Sequence, residues 1–355
     1  FHAFSFHAGV LFIPSVFCKG IRAKCQIVAE QKNNLPMLQF STFNDFFCKQ
    51  KLIMEDFDLP DILKGRIEKR KEEETEWKAS CLSVEELLCL QLLGYSSRQI
   101  IERVNPEVNE QLKRTAAKAT RELDKAKRIL DRQAKAGIIT IPYYAVDYPY
   151  HFRNLCNDTP PLIHVSGNLE LLNRNDTVTI IGARAADAEG LDAAYRFGKQ
   201  IGGQDHVVIS GLALGCDTAA HRGCLDAEGQ TIAIVASGLD ITHPKVNKTL
   251  QEEIVAKGGT IVSEHPFGMK ANPTRLVARC RMQVALTQSV IVAQCPIISG
   301  TMYAVRFAQE YDGDFFGWEN DIYAVEYDTW DELNSGNKFL LDYNLAIPLR
   351  PEQNI

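Results

Sequence analysis

The sequence predicts a doubly wound α/β domain with a mostly parallel sheet, preceded by a small helical domain. Short, nearly continuous apolar runs recur from Thr177 onward, as expected of strands buried on both faces. Segments of helical length separate them, long enough for crossovers between parallel neighbours. Glycines follow several of the runs, where such a sheet turns from strand into helix and where its ligand site lies.

Residues 1–53 show neither helical nor strand periodicity and read as an unstructured or non-native leader, with Met54 as the first methionine suited to a start. The stretch Phe1 to Phe17 lacks a basic region and is broken by His2 and His7, so it does not read as a signal peptide. A helical domain is expected over 54–137, its charge-rich run Asp61 to Trp77 forming a solvated helix or linker. Ser83 and Glu86 make a capping box that opens an apolar helix bearing Leu87, Leu88, Leu90, Leu92 and Leu93. Gly94 can end it before Ser96 or Ser97 caps a second helix with Ile100, Ile101 and Val104. Only Arg98 and Arg103 decorate that second helix, so a plain αα-hairpin is expected rather than a DNA-reading helix-turn-helix. One long helix from about Pro106 to Ala136, stopped by Gly137, closes the domain.

The α/β domain is expected over 138–349, with a tail at 350–355. Ile138 to Ile141 reads as a short strand leading into Asp147-Tyr-Pro149. The strands that follow are Val178 to Ile181, His206 to Ile209, Thr231 to Ala236, Thr260 to Ser263, Ser289 to Ala293 and Asp321 to Val325.

A chain of 355 residues has room for about two domains, and 45% hydrophobic with 24% charged residues is ordinary for a globular protein. Lys+Arg 39 against Asp+Glu 45 gives a net charge of −6, so polyanion binding must rest on a local basic patch. The 10 cysteines are scattered without a CxxC pair, which points to reduced thiols and a cytoplasmic location. Cys216 and Cys224, eight positions apart on one expected helix, lie too far apart to bridge. No apolar run of 18 residues occurs, and no membrane partner is expected.

Function should sit just beyond the strands' carboxyl ends. Gly182-Ala183-Arg184 follows the first strand of the α/β repeat, combining a close backbone approach with a guanidinium fork suited to phosphate. Ser210 and Gly211 follow the second, leading into a helix with Asp217, His221 and Arg222. Asp217 reads as an N-cap or first-turn acid, and His221 as a structural histidine, since no acid or nucleophile stands at a recognisable spacing from it. His243, Lys245, Asn247 and Lys248 follow the third strand, and Glu264 then Arg275, Arg279 and Arg281 follow the fourth, with 275 and 279 on one helix face. Ser299-Gly300-Thr301 follows the fifth and starts a further helix. Neither GxGxxG nor a Walker sequence is present, so phosphate binding by a less standard arrangement is the expectation.

The run SGLALGCDTAAHRGCL (Ser210 to Leu225) and the run IAIVASGLDITHPKVNKTL (Ile232 to Leu250) resemble the signature of the DNA-processing protein A (DprA/Smf) family. The resemblance extends through DYPYHFRNLCNDTPPLIHVSGNLELL (Asp147 to Leu172) and IGAR (Ile181 to Arg184), and downstream from Arg279 to Ala308 and from Ser335 to Pro348. The sequence departs from the family pattern at Val277-Ala-Arg-Cys-Arg281, which has one arginine and an asparagine fewer, and at Ala293-Gln294-Cys295. His243 replaces the usual tyrosine.

The resemblance implies a Rossmann-like domain that binds single-stranded DNA in a basic pocket, forms a homodimer, and assists a RecA-type recombinase during DNA uptake and natural transformation. It implies no enzymatic activity, cofactor or metal. Arg184, Ser210, Gly211, Arg222, Lys245, Asn247, Lys248, Arg279, Arg281, Ser299, Gly300 and Thr301 fall in matching motifs, and Arg275 lies beside one. The residues alone deliver only an anionic ligand at the strand ends. A sensor of small nucleotides, or a nucleotide-processing hydrolase of related fold, therefore stays open at this level. The segment Ile298 to Tyr303 lacks the double glycine and glutamate of the lysine-decarboxylase-like hydrolases.

Overall fold

A computed structural model describes residues 10–12, 26–28, 81–101, 106–287, 289–311 and 321–350. The chain divides into two units, 1–73 and 74–355. In the first, Val10–Phe12 pairs antiparallel with Gln26–Val28, a pairing the sequence pattern does not signal. The remainder of the expected leader, and the charged run 61–77, lie outside the described residues.

The second unit opens with α1 (Val84–Leu92). Its capping box forms as expected, the Ser83 hydroxyl accepting from the Glu86 N–H and the Glu86 carboxylate accepting from the Ser83 N–H. Gly94, at φ +92°, ends the helix. Ser96, rather than Ser97, caps α2 (Ser97–Ile101), exchanging hydrogen bonds with Gln99. The long helix expected over 106–136 is instead two, α3 (Pro106–Lys118) and α4 (Thr120–Lys135), separated at Ala119. A straight helix could not lay both halves on α1. The break lets Leu112 and Ala116 of α3, and Ala126 and Ile129 of α4, share one core with Leu87, Leu88 and Leu90.

The sheet comprises β1 (Ile139–Pro142), β2 (Leu162–Gly167), β3 (Thr177–Ile181), β4 (Val207–Ser210), β5 (Thr231–Ile234), β6 (Thr260–Ser263), β7 (Ser289–Val292), β8 (Asp321–Val325) and β9 (Ile347–Leu349). Its order is β9-β8-β7-β3-β4-β5-β6-β2-β1. Strands β3 to β9 are mutually parallel, while β2 runs antiparallel to β6 and β1 antiparallel to β2. Every expected strand is present within a few residues. The reading missed β2, whose entry is masked by Pro160-Pro161, and the three-residue edge strand β9, which contains Pro348.

Short helix α5 (Tyr150–Arg153) connects β1 to β2. The helices α6 (Ala188–Gly203), α7 (Cys216–Asp226), α8 (Lys248–Ala256), α9 (Pro273–Ala278), α10 (Cys280–Ala285), α11 (Thr301–Tyr311) and α12 (Ser335–Asp342) cover the sheet. One face packs Ile180, Val208 and Ile291 against Phe197 and Ile201 of α6 and Ala220 and Cys224 of α7. Another cluster packs Ile181, Val290 and Val292 against Ala304, Val305 and Ala308 of α11. Cys216 and Cys224 are buried free thiols, as expected. Strand order reverses between β3 and β7, which places the topological switch point at their carboxyl ends.

Helices α6 and α7 approach to backbone contact, since a Cβ on Gly223 would stand 2.0 Å from the Tyr195 carbonyl and one on Gly198 would stand 2.3 Å from that of Ala220. Gly223→Ala is expected to lower the urea midpoint with an unchanged slope. Overpacking of about 1–3 kcal/mol outweighs the gain of up to about 1 kcal/mol in helix propensity.

Candidate functional site

A cavity of about 460 Å³ opens at the switch point. Ile181 to Ala185 after β3 and Pro296, Ser299, Gly300 and Thr301 after β7 form two of its sides. Pro273, Leu276 and Val277 of α9 supply an apolar wall, and Asp217, Arg279 and Gln283 reach it from below. The first turn of α11 starts at Thr301, so its free N–H groups and the positive end of its dipole meet this space. Arg184 is exposed at the rim, and among the described residues it makes no ion pair or side-chain hydrogen bond.

The interior is held by a polar network. Buried Arg279 donates through Nη1 to the carbonyls of Gly211, at 2.5 Å, and Ile234, at 2.7 Å, which ties the ends of β4 and β5. Its Nε has no partner among the described residues, and the same holds for Nε2 of buried Gln283. The Asp217 carboxylate, in the first turn of α7, accepts from the N–H groups of Gly211 and Ala213. Burial raises its pKa, an effect that the neighbouring Arg279 charge and these hydrogen bonds partly offset. A Cβ on Gly211 would fall 1.9 Å from Arg279 Nη1, so a side chain there would displace the guanidinium. Ser210 is buried and donates to the Ile180 carbonyl, binding β4 to β3.

The expected site residues divide into several groups. Arg184, Arg279, Ser299, Gly300 and Thr301 line the cavity. Lys245 and Lys248 stand exposed on the flank, Lys248 within 3.7 Å of Glu252. Asn247 between them is buried, and its amide donates to Leu212, Ala213 and Thr218, so it fixes the loop rather than facing outward. Arg222 points elsewhere: it lies about 9 Å down α7 from the strand ends and pairs with Glu253 of α8. Arg275 and Arg279 stand one helical turn apart, the Arg279 N–H donating to the Arg275 carbonyl, but their guanidinium groups take different partners. Arg275 donates to the Lys270 carbonyl. Arg281 is buried in a two-pronged pair with Glu264, at 2.8 and 2.5 Å, and also donates to Asp158 and Ala278 carbonyls.

His221 fits its structural expectation, being fully buried against Thr231, with burial and nearby arginines pushing its pKa down to about 3. Sequence reasoning missed Gln283 and the α9 wall. The available signal was a glutamine inside the otherwise apolar run Met282 to Leu286. It also missed the aliphatic rim of Leu214, Val246, Ile297 and Ile298, of which Ile298 is 94% exposed.

A family profile described as DNA recombination-mediator protein A matches residues 139–354, more than half of the chain. Protein DprA of Streptococcus pneumoniae is 35% identical over 177 residues, 49% of this chain and 61% of that protein. The Bacillus subtilis DprA is 29% identical over 199 residues, and the Synechocystis Smf protein 33% over 164. The matches span 41% to 66% of the length of these relatives. The solved S. pneumoniae DprA superposes with a TM-score of 0.56 at 26% identity, covering 78% of this chain and 93% of that one. DNA processing protein A of Helicobacter pylori, in a study of its single-stranded DNA binding mode, superposes at 0.52 with 26% identity, covering 59% and 90%.

Burial alone would raise the Glu264 pKa, but the Arg281 charge and hydrogen bonds hold it down at about 2, below its ordinary 4.5. A carboxyl depressed in the folded state adds stability that is complete above pH 4.5 and is lost as pH falls toward 2. Glu264→Gln is expected to cost about 3–5 kcal/mol at pH 7, because it strands the buried guanidinium. The variant's stability should also fall less steeply than the parent's across that acid range, measured by denaturant titrations at several pH values.

Proposed function

The chain belongs to the DNA recombination-mediator protein A family, and on that premise we propose that it binds single-stranded DNA through backbone phosphates along the carboxyl edge of its sheet. One observation carries the reading. Arg184, Lys245, Lys248 and the α11 N-terminus come to the same edge, where Leu214, Val246, Ile297 and Ile298 also stand exposed. Cations and N–H donors suit phosphates, and the aliphatic side chains suit base faces splayed from a single strand. The H. pylori relative supports the choice of ligand.

Within this reading the site residues have distinct duties. Arg184 and Lys245 neutralise phosphates, Lys248 adds a weaker charge tempered by Glu252, and Ser299, Gly300 and Thr301 present the start of α11 to one phosphate. Arg279 and Gly211 shape the floor, and Ser210, Asn247 and Arg281 keep the loops in place. Arg222 and Arg275 sit outside this inner set. The protein works by binding and releasing a strand, without a chemical step: His221, the nearest acid–base candidate, is held neutral and hydrogen-bonded to Thr231. The bound strand is handed to a RecA-type recombinase during uptake of DNA, by a homodimer in the cytoplasm.

A mononucleotide sensor is the rival, because 460 Å³ is large enough for one nucleotide. Affinity that rises with oligonucleotide length supports the strand reading, and affinity independent of length sinks it. Arg184→Ala and Lys245→Ala are each expected to weaken binding and flatten the salt dependence by a slope of about 0.7, with thermal stability unchanged. Arg279→Ala should differ, losing binding together with stability, since two buried carbonyls lose their donor.

A further inference from the structure

Cations on the other helices are mostly matched. Arg114 pairs with Glu110, Arg196 with Asp192, Arg306 with Glu310 and Lys338 with Asp342, each one turn apart. Helix α4 breaks this pattern. Arg121, Lys125, Arg128 and Arg132 are spaced by four, three and four, so they form one exposed row about 16 Å long. Among the described residues, Arg121, Lys125 and Arg128 have no ion pair or side-chain hydrogen bond, although Asp124 precedes Arg128 by one turn. The row flanks the buried side of the helix, where Ala126, Ile129 and Gln133 meet the core.

Beside the row lies a slot of about 380 Å³ between α4 and the loop that follows β6. Lys125, Arg128 and Arg132 edge it, and Leu92, Phe267 and Met269 give it apolar walls. The Arg132 guanidinium stands 5.9 Å from the centre of the Phe267 ring, which is only partly covered. The loop is well braced, with the Gly268 N–H donating to the Asp240 carboxylate and the Met269 carbonyl accepting from Gly238.

This slot continues the sheet edge. Met269 borders the slot and Pro273 borders the switch-point cavity, and four residues of chain span at most about 14 Å. Exposed Lys270 lies between them. Three unpaired cations in a row with Arg132, itself 3.8 Å from the Asp240 carboxylate, an apolar slot and a half-open aromatic ring together match a polyanion that carries flat rings.

We propose that the basic row of α4 and the Phe267 slot form a second nucleic-acid site, which takes the nucleotides flanking those held at the sheet edge. The inference rests on the single-strand reading above. It gives the helical domain a direct part in binding, through α4 and not through the α1–α2 hairpin.

The test uses the full chain with Lys125→Gln and Arg128→Gln together, both exposed and unpaired, so that the melting temperature should stay at the parent value. Binding is measured in salt titrations with single strands of about 5 and about 16 nucleotides, near the ends of the range of single-strand site sizes. The double variant should bind the short strand as the parent does. On the long strand it should lose about 1.4 from the salt slope, two contacts at about 0.7 each, and Lys125→Arg with Arg128→Lys should restore it. An unchanged long-strand slope overturns the inference, while the sheet-edge reading stands if Arg184→Ala still weakens both lengths. A long-strand loss in the double variant with no effect of Arg184→Ala sinks the sheet-edge reading and leaves α4 as the binding site. A parent chain that binds neither strand overturns both.

Discussion

The guanidinium of Arg279 holds the working edge of the sheet together. Parallel strands that end at a switch point leave carbonyls facing a cavity instead of a neighbouring strand, and buried carbonyls need donors. Arg279 supplies one guanidinium to two of them, Gly211 after β4 and Ile234 at the end of β5. A side chain at position 211 would have to displace that guanidinium from its carbonyls. The Arg279 charge also acts on Asp217, partly offsetting the effect of burial on that carboxyl, which satisfies the Gly211 and Ala213 N–H groups. The loop after β4 is thereby fixed on both faces of its backbone before any ligand arrives.

The same device recurs along the edge. Asn247 reaches from the start of α8 to the carbonyls of Leu212 and Ala213, and Asn337 of α12 reaches to those of Val292, Ala293 and Val325 while accepting from Cys295. Arg281 and Glu264 join α10 to the end of β6. Each side chain that braces a loop spends its hydrogen-bonding capacity inside the protein. Among the described residues, the charged side chains at this edge that the bracing leaves without a partner include Arg184 and Lys245.

This division explains what could be read from the sequence. The strands were legible because their apolar runs are continuous, and the switch point because glycines such as Gly182 and Gly211 follow them. The break at Ala119 was not, since alanine is a good helix former and only packing on α1 requires the bend. At the site, sequence places Arg279, Arg281, Asn247 and Arg184 in motifs of equal standing. Whether an arginine builds the floor or presents its charge depends on partners distant in the chain, such as Glu264 for Arg281, 17 residues away, and Gly211 for Arg279, 68 away. Residue type and spacing alone carry no trace of that difference.

Charge follows the same logic. The chain carries −6 overall, so an anionic ligand meets a favourable field only where cations are both exposed and unmatched. Buried cations contribute little at the rim: Glu264 pairs directly with Arg281, and Arg279 spends its donors on two carbonyls. Helix surfaces with pairs one turn apart are likewise nearly neutral beyond a Debye length of about 8 Å. What remains at the sheet edge is a short positive track through Arg184, Lys245 and Lys270, apart from the unpaired row on α4. A track of that kind favours a flexible strand, which can bend to follow it, over a stiff duplex whose phosphates cannot all reach it.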